Sequence, residues 1–495
     1  MRKYFFLGLW MSVAVVAVEA ESRLEFSTQA ASVYESALSL RLDEARLQLQ
    51  AMRNSEGDNA MQHLLANYID ILHIYATDDP ALYERLKQQK DARIKAIKRA
   101  DKSSPYYRYA QAEIRLQWAL VHLKFDNWWT ALNDAGKAFE LLEDNQKLHP
   151  DFIANRKSLG LLRTIAGVVP DNYKWSVKVL KGIKGTTEEG ARDIQAVLDY
   201  ARTGDFIFEE ETRMMYALLL LQIGGDYDRA WRLLEGGSTD YSRNAFGCMV
   251  KSEIAIRSGR AEAAVQLLAH RPSGTAYPAF PYLDYLEGTA LLYSGKSAGV
   301  QSAFERFLSS YKGKYYRKDA YRKLAWHALL EGHTSRAEQY YEQCLEYGSN
   351  DHETDAQAQR EAAASYRPHI GLLRARLLFD GGFYKKADAE LAGIDKRTLT
   401  QEEYRIELPY RRGRVAEALG MHHNAAKHYR KAIEIGSDAP YYYACKSALQ
   451  LALLYEDQGK LAKAKSYFNK CLTIKPEEYK SSLHGQAKSG LQRLR

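Results

Sequence analysis

The sequence predicts an all-α protein, a solenoid of stacked helical hairpins. Three observations predict it. Apolar residues recur with a spacing near 3.6, and no alternating run is long enough to build a sheet. Positions 230, 264, 300, 337, 387, 425 and 464 hold six alanines and one valine, at intervals of about 34 to 39 residues with one of about 50. A glycine stands five places before each of them: Gly225, Gly259, Gly295, Gly332, Gly382, Gly420 and Gly459.

Taken in order, residues 1–20 read as a secretory signal peptide. Arg2 and Lys3 form a positive start, Phe5 to Val18 is apolar, and Val18-Glu19-Ala20 has the small residues of a cleavage site. The apolar run is shorter than the ~20 residues a membrane span needs. The first cysteine is Cys248, so no lipid-anchor site follows the leader. The expectation is an exported, soluble chain without a membrane span, periplasmic if the source is a Gram-negative bacterium.

Residues 21–149 read as N-terminal helical repeats. The stretches beginning at Leu42 and Met61 have helical periodicity. Residues 110–142 suggest a hairpin with Ala119, Ala131 and Ala138 at close-packing positions. Residues 150–205 break the period and read as an irregular helical joint. Within it, Gly182 to Gly190 spells GIKGTTEEG, which resembles a phosphate loop. The spacing Gly185–Gly190 is right, but Ala191 and Arg192 stand where Lys and Ser/Thr are required. Thr186 and Glu189 instead have the spacing of a capping box, so the motif reads as a helix start.

Residues 206–495 carry the repeat most fully. In a frame of about 34 residues starting at Cys445, small residues fall at positions 8, 20 and 27 (Ala452, Ala464, Cys471). Large ones fall at 7, 11 and 24 (Leu451, Tyr455, Phe468), with Gly459 at 15 and Pro476 at 32. Small side chains let two antiparallel helices approach, and large ones fill the space between them. This pattern resembles the tetratricopeptide repeat, which implies a right-handed superhelix that binds a protein or peptide in its concave groove. The long interval holds an insertion around residues 350–368, which reads as a short extra helix with Pro368 in the first turn of the next.

The resemblance also places groove residues. Positions 2, 5, 9 and 12 of each first helix line the concave face, which gives Tyr285, Arg322 and Trp326, then Arg376 and Phe379, then Tyr410 and Arg414. This basic and aromatic strip suits an extended acidic or aromatic segment. The lysine and asparagine with which some relatives clamp a free C-terminus are absent here.

Chemistry is otherwise sparse. The net charge of +8 is spread through mixed runs, such as residues 85–102, and does not call for nucleic acid. His422, His423 and His428 lack metal-ligand spacing. No cofactor or metal is expected, and Cys248, Cys344, Cys445 and Cys471 show no CxxC motif. The reading is a non-catalytic exported scaffold for an envelope protein or peptide partner. Two rivals are an outer-membrane-associated glycan- or nutrient-binding protein, which binding to an oligosaccharide panel would reveal, and an enzyme with a cryptic site at the 150–205 joint.

Overall fold

The computed structural model describes residues 22–168, 182–223 and 225–494. The proposed leader at 1–20 lies outside these residues, as does the middle of the 150–205 segment. Among the described residues the chain is helical, with β-structure limited to two isolated bridges, Ser22 to Ala100 and Arg23 to Asn59.

The N-terminal helices are α1 (Thr28–Leu38), α2 (Leu42–Ser55), α3 (Met61–Thr77), α4 (Pro80–Leu86), α5 (Gln89–Ile97), α6 (Tyr106–Lys124), α7 (Trp128–Leu148) and α8 (Ala154–Val168). Local chemistry sets their starts. Ser27 accepts from the Ala30 amide, and Asp79 accepts from Ala81 ahead of a helix that opens on Pro80. In the α6–α7 hairpin, Ala119, Ala131 and Ala138 are all buried, where the sequence wanted small residues.

The helix α9 (Thr187–Ala201) resolves the GIKGTTEEG motif. Thr186 Oγ1 accepts from the Glu189 amide at 3.2 Å, and Glu189 Oε2 accepts from the Thr186 amide at 2.9 Å. This is a complete capping box. Gly190 is required for another reason. A Cβ there would lie 2.5 Å from the carbonyl oxygen of Gly160. The two glycines are the point where α8 and α9 cross, and Arg163 to Asp193 at 2.5 Å ties the crossing from the side. The glycines serve helix contact.

Seven hairpins follow: α10 (Glu209–Ile223) with α11 (Tyr227–Glu235), α12 (Ala245–Arg257) with α13 (Ala261–Ala269), α14 (Pro281–Tyr293) with α15 (Val300–Ser310), and α16 (Arg317–Leu330) with α17 (Thr334–Glu346). The insertion forms α18 (Glu353–Ala363). Then come α19 (Ile370–Asp380) with α20 (Tyr384–Ala392), α21 (Glu402–Ala418) with α22 (His422–Gly436), α23 (Tyr443–Asp457) with α24 (Leu461–Thr473), and the closing helix α25 (Lys480–Arg493). Pro368 lies just before the His369 cap of α19, not inside its first turn.

The frame read from sequence is the packing frame. All seven turn glycines adopt positive φ, between 64° and 87°, a conformation open mainly to glycine. The seven residues at position 20 have no solvent exposure. Position 8 meets position 24: a Cβ on Gly413 would stand 2.5 Å from the Tyr429 ring, and one on Gly288 would stand 2.8 Å from Phe304. An extra methylene at such a contact costs roughly 1–3 kcal/mol.

The N-terminal helices are bound to the array by buried polar groups. Lys157 Nζ lies 3.1 Å from Glu113 and 2.8 Å from Glu211, with all but 1% of the lysine side chain buried. Tyr34 donates to Glu211 at 2.8 Å. On the other side, Tyr311 donates to Asp78 at 2.9 Å and Tyr315 donates to Asp126 at 2.7 Å. The far end also folds back. Arg360 of α18 pairs with Glu478 at 2.9 Å, which brings the chain after α24 onto the inserted helix.

Candidate binding groove

The inner face of the array divides into two parts. In the first, α18 lies across α16. Asp355 accepts from the amides of Tyr316 at 2.6 Å and Asp319 at 3.0 Å, so it caps α16 from outside. Glu361 accepts from the Trp326 indole at 2.5 Å and from Tyr341 at 2.9 Å, and stands 3.8 Å from Arg322. Beneath it, Asp319 binds Arg322, Lys323 at 2.6 Å and the Tyr285 hydroxyl at 2.5 Å. Burial pushes the Asp319 carboxyl up, but Lys323 and Arg322 more than reverse this, and it is held below the usual range.

In the second part, α19, α21 and the start of α23 enclose a cavity of about 140 Å³ lined by Arg376, Phe379, Asp380, Tyr410, Arg411 and Tyr442, together with Arg414. Arg376 stacks over Trp326 at 4.8 Å, and Arg414 stacks over Phe379 at 4.8 Å. Arg414 also donates to the Tyr410 hydroxyl at 3.2 Å. Arg411 is held by Glu407 at 2.6 Å.

The charges here do not balance. Among the described residues, the carboxylate within ion-pair distance of Arg376 is Asp380, at 3.9 Å. Arg414 and Lys446 have no carboxylate within ion-pair distance among the described residues. Lys446 is pushed down to about 8, first by burial and then by the Arg414 guanidinium. Glu417 offsets Arg414 and Lys446 only from a distance, and cations crowded together with so little counter-charge in contact favour an anion.

A wider, open depression of about 800 Å³ lies between α1 and the loops before α10 and α12. Three of its five acidic groups are already engaged: Glu210 with the Ser238 amide at 3.0 Å, Glu209 with Arg213 at 2.5 Å, and Asp240 with Ser242 at 2.6 Å.

Residues 404–477, spanning α21 to α24, match the family model described as tetratricopeptide repeat. That segment is tetratricopeptide repeat. A comparison with curated proteins gave no match. One similar solved structure is the APC/C hetero-tetramer Cut9–Hcn1, at 12% identity, covering 96% of this chain and 100% of that chain with a TM-score of 0.25.

The tetratricopeptide frame sorts the residues expected in the groove. Arg376, Phe379, Tyr410 and Arg414 come together around one cavity. Tyr285, Arg322 and Trp326 do not present a free surface. They are 5%, 3% and 1% exposed. Glu361 of the insertion takes up Trp326 and stands 3.8 Å from Arg322, while Asp319 of α16 itself binds Arg322 and the Tyr285 hydroxyl. Arg411 and Tyr442 were not singled out from sequence; Lys446 falls at position 2 of its first helix and so belongs to the face the frame predicts. Next to Tyr442, Tyr443 is buried and donates to Glu403 at 2.9 Å.

Among the described residues, no group of three His, Cys, Asp or Glu side chains is placed to hold a metal ion. His422 and His423 are exposed at the start of α22. No helix among the described residues is long and apolar enough to cross a membrane.

Proposed function

We propose that the chain is an exported, non-catalytic tetratricopeptide scaffold that holds an acidic segment of a protein partner against the inner face of α19, α21 and α23. One observation carries this reading. Arg376, Arg411 and Arg414 converge with Phe379, Tyr410 and Tyr442 on one small cavity, while Arg414 and the neighbouring Lys446 have no carboxylate within ion-pair distance among the described residues. A cavity of about 140 Å³ has room for one side-chain carboxylate.

The chain's own insertion supports the choice of partner. In the adjacent half of the same face, Glu361 of α18 meets Trp326 and Arg322. A guest with Glu or Asp beside an aromatic residue repeats that solution next door. Export rests on the sequence of residues 2–20, and an envelope protein is the partner class it brings.

The test is binding of fluorescently labelled Glu-rich peptides by anisotropy. Removing buried charge partners costs about 2–5 kcal/mol, so Arg376→Glu with Arg414→Glu lowers affinity by at least about 30-fold. Helicity by circular dichroism stays unchanged. Equal affinity of the two proteins, or wild-type affinity that ignores ionic strength, removes the reading.

A further inference from the structure

We infer that Cys445 and Cys471 are a dithiol–disulfide site that staples the last repeat. Their Sγ atoms are 3.5 Å apart, and both side chains are fully buried. A disulfide places its sulfurs about 2.05 Å apart. The closure needed is about 1.5 Å, which small torsional changes in two cysteines can supply.

The repeat frame gives an independent reason for the pairing. These residues occupy positions 1 and 27, which face each other across a hairpin. The same positions in the α16–α17 hairpin are Lys318 and Cys344. There, Cys344 Sγ lies 3.3 Å from the Lys318 carbonyl, and Lys318 Nζ lies 2.7 Å from the Cys344 carbonyl. In the α21–α22 hairpin they are Ile406 and Ala432, both buried. Of these three hairpins, the last carries cysteine on both sides. Cys248 Sγ rests on the Leu267 carbonyl at 3.8 Å, so it and Cys344 each stand alone.

The chemistry is exchange with a disulfide donor of the glutathione or protein-dithiol class. One cysteine, as thiolate, attacks the donor and releases one thiol. The second attacks the mixed disulfide and releases the other. Two thiols are oxidised, the donor disulfide is reduced, and the two protons pass to the released thiols. The hydrogen bond with Cys471 holds the Cys445 thiol below its usual range, against the effect of burial, and the Lys446 ammonium adds to the lowering. Helix α25 covers the pair, with Cys471 Sγ 3.9 Å from the Leu483 carbonyl. Exchange therefore occurs before α25 packs, or when the end of the array opens, which terminal repeats do most readily. The link closes the loop around the α23–α24 turn. It is independent of the groove reading.

The full chain, unfolded in urea and refolded with oxidised and reduced glutathione, tests this. Alkylation under denaturing conditions then labels Cys248 and Cys344 only, and a peptide map shows Cys445 joined to Cys471. The melting temperature rises by roughly 5 °C over the dithiothreitol-treated protein. The Cys445→Ala/Cys471→Ala variant keeps small residues at both positions, and its melting does not respond to reductant. Four alkylated cysteines, glutathione adducts at Cys445 or Cys471, a different pairing, or an equal reductant response in the double variant overturns the inference.

Discussion

Lys446→Met should make the protein more stable at neutral pH. Lys446 sits beside Arg414 on the inner face, with no ion-pair partner among the described residues. Burial and Arg414 lower it from the usual 10.5 to about 8. At about 1.4 kcal/mol per pH unit, holding the ammonium there costs ~3 kcal/mol. Methionine keeps the apolar stem and drops the charge, so a gain of about 2 kcal/mol is expected. The pH dependence has a definite sign. The folded chain binds this proton less tightly than the unfolded chain, so the penalty is full below pH 8. It fades as pH rises from about 8 towards 10.5, and the two proteins converge there. Urea unfolding at pH 7 and near pH 10 measures both points. A bound Glu-rich peptide supplies the missing counter-charge and reduces the gap at pH 7. A variant no more stable than wild type at pH 7, or an advantage that ignores pH, refutes the idea of an uncompensated cation.

Two further substitutions probe the frame. Gly190→Val places a branched side chain against Gly160 and should lower unfolding free energy by at least about 2 kcal/mol in urea titration. Lys157→Ala leaves Glu113 and Glu211 facing each other across a buried site and should cost about 3–5 kcal/mol. Its loss should appear first in amide protection of α1, α3 and α10, the helices whose side chains meet there, as read by hydrogen exchange.

The hairpins were legible because each depends on local and periodic features. Gly459, Ala464 and Phe468 mark a turn, a contact and a filler by their own chemistry, and their spacing repeats. The capping box at Thr186 was legible for the same reason, since its two partners are three residues apart. The role of Gly160 and Gly190 was not, because a crossing between non-adjacent segments leaves no periodic trace. The placement of the candidate residues was half legible. Frame positions brought Arg376, Phe379, Tyr410 and Arg414 to one face. They could not show that residues 353–363 turn inward, because that depends on long-range pairing of Asp355 and Glu361 with α16. Lys157 was missed because a buried lysine looks like any other until its two carboxylates arrive from elsewhere in the chain.

The inward turn of α18 has an evolutionary corollary. The space left open along the trough is governed by a connector, not by the repeating unit. Lengthening, shortening or recharging residues 350–368 can therefore retune what the trough admits while every hairpin stays as it is. The array keeps its spring and carries an adjustable plug, and new specificity can arise by editing only the plug.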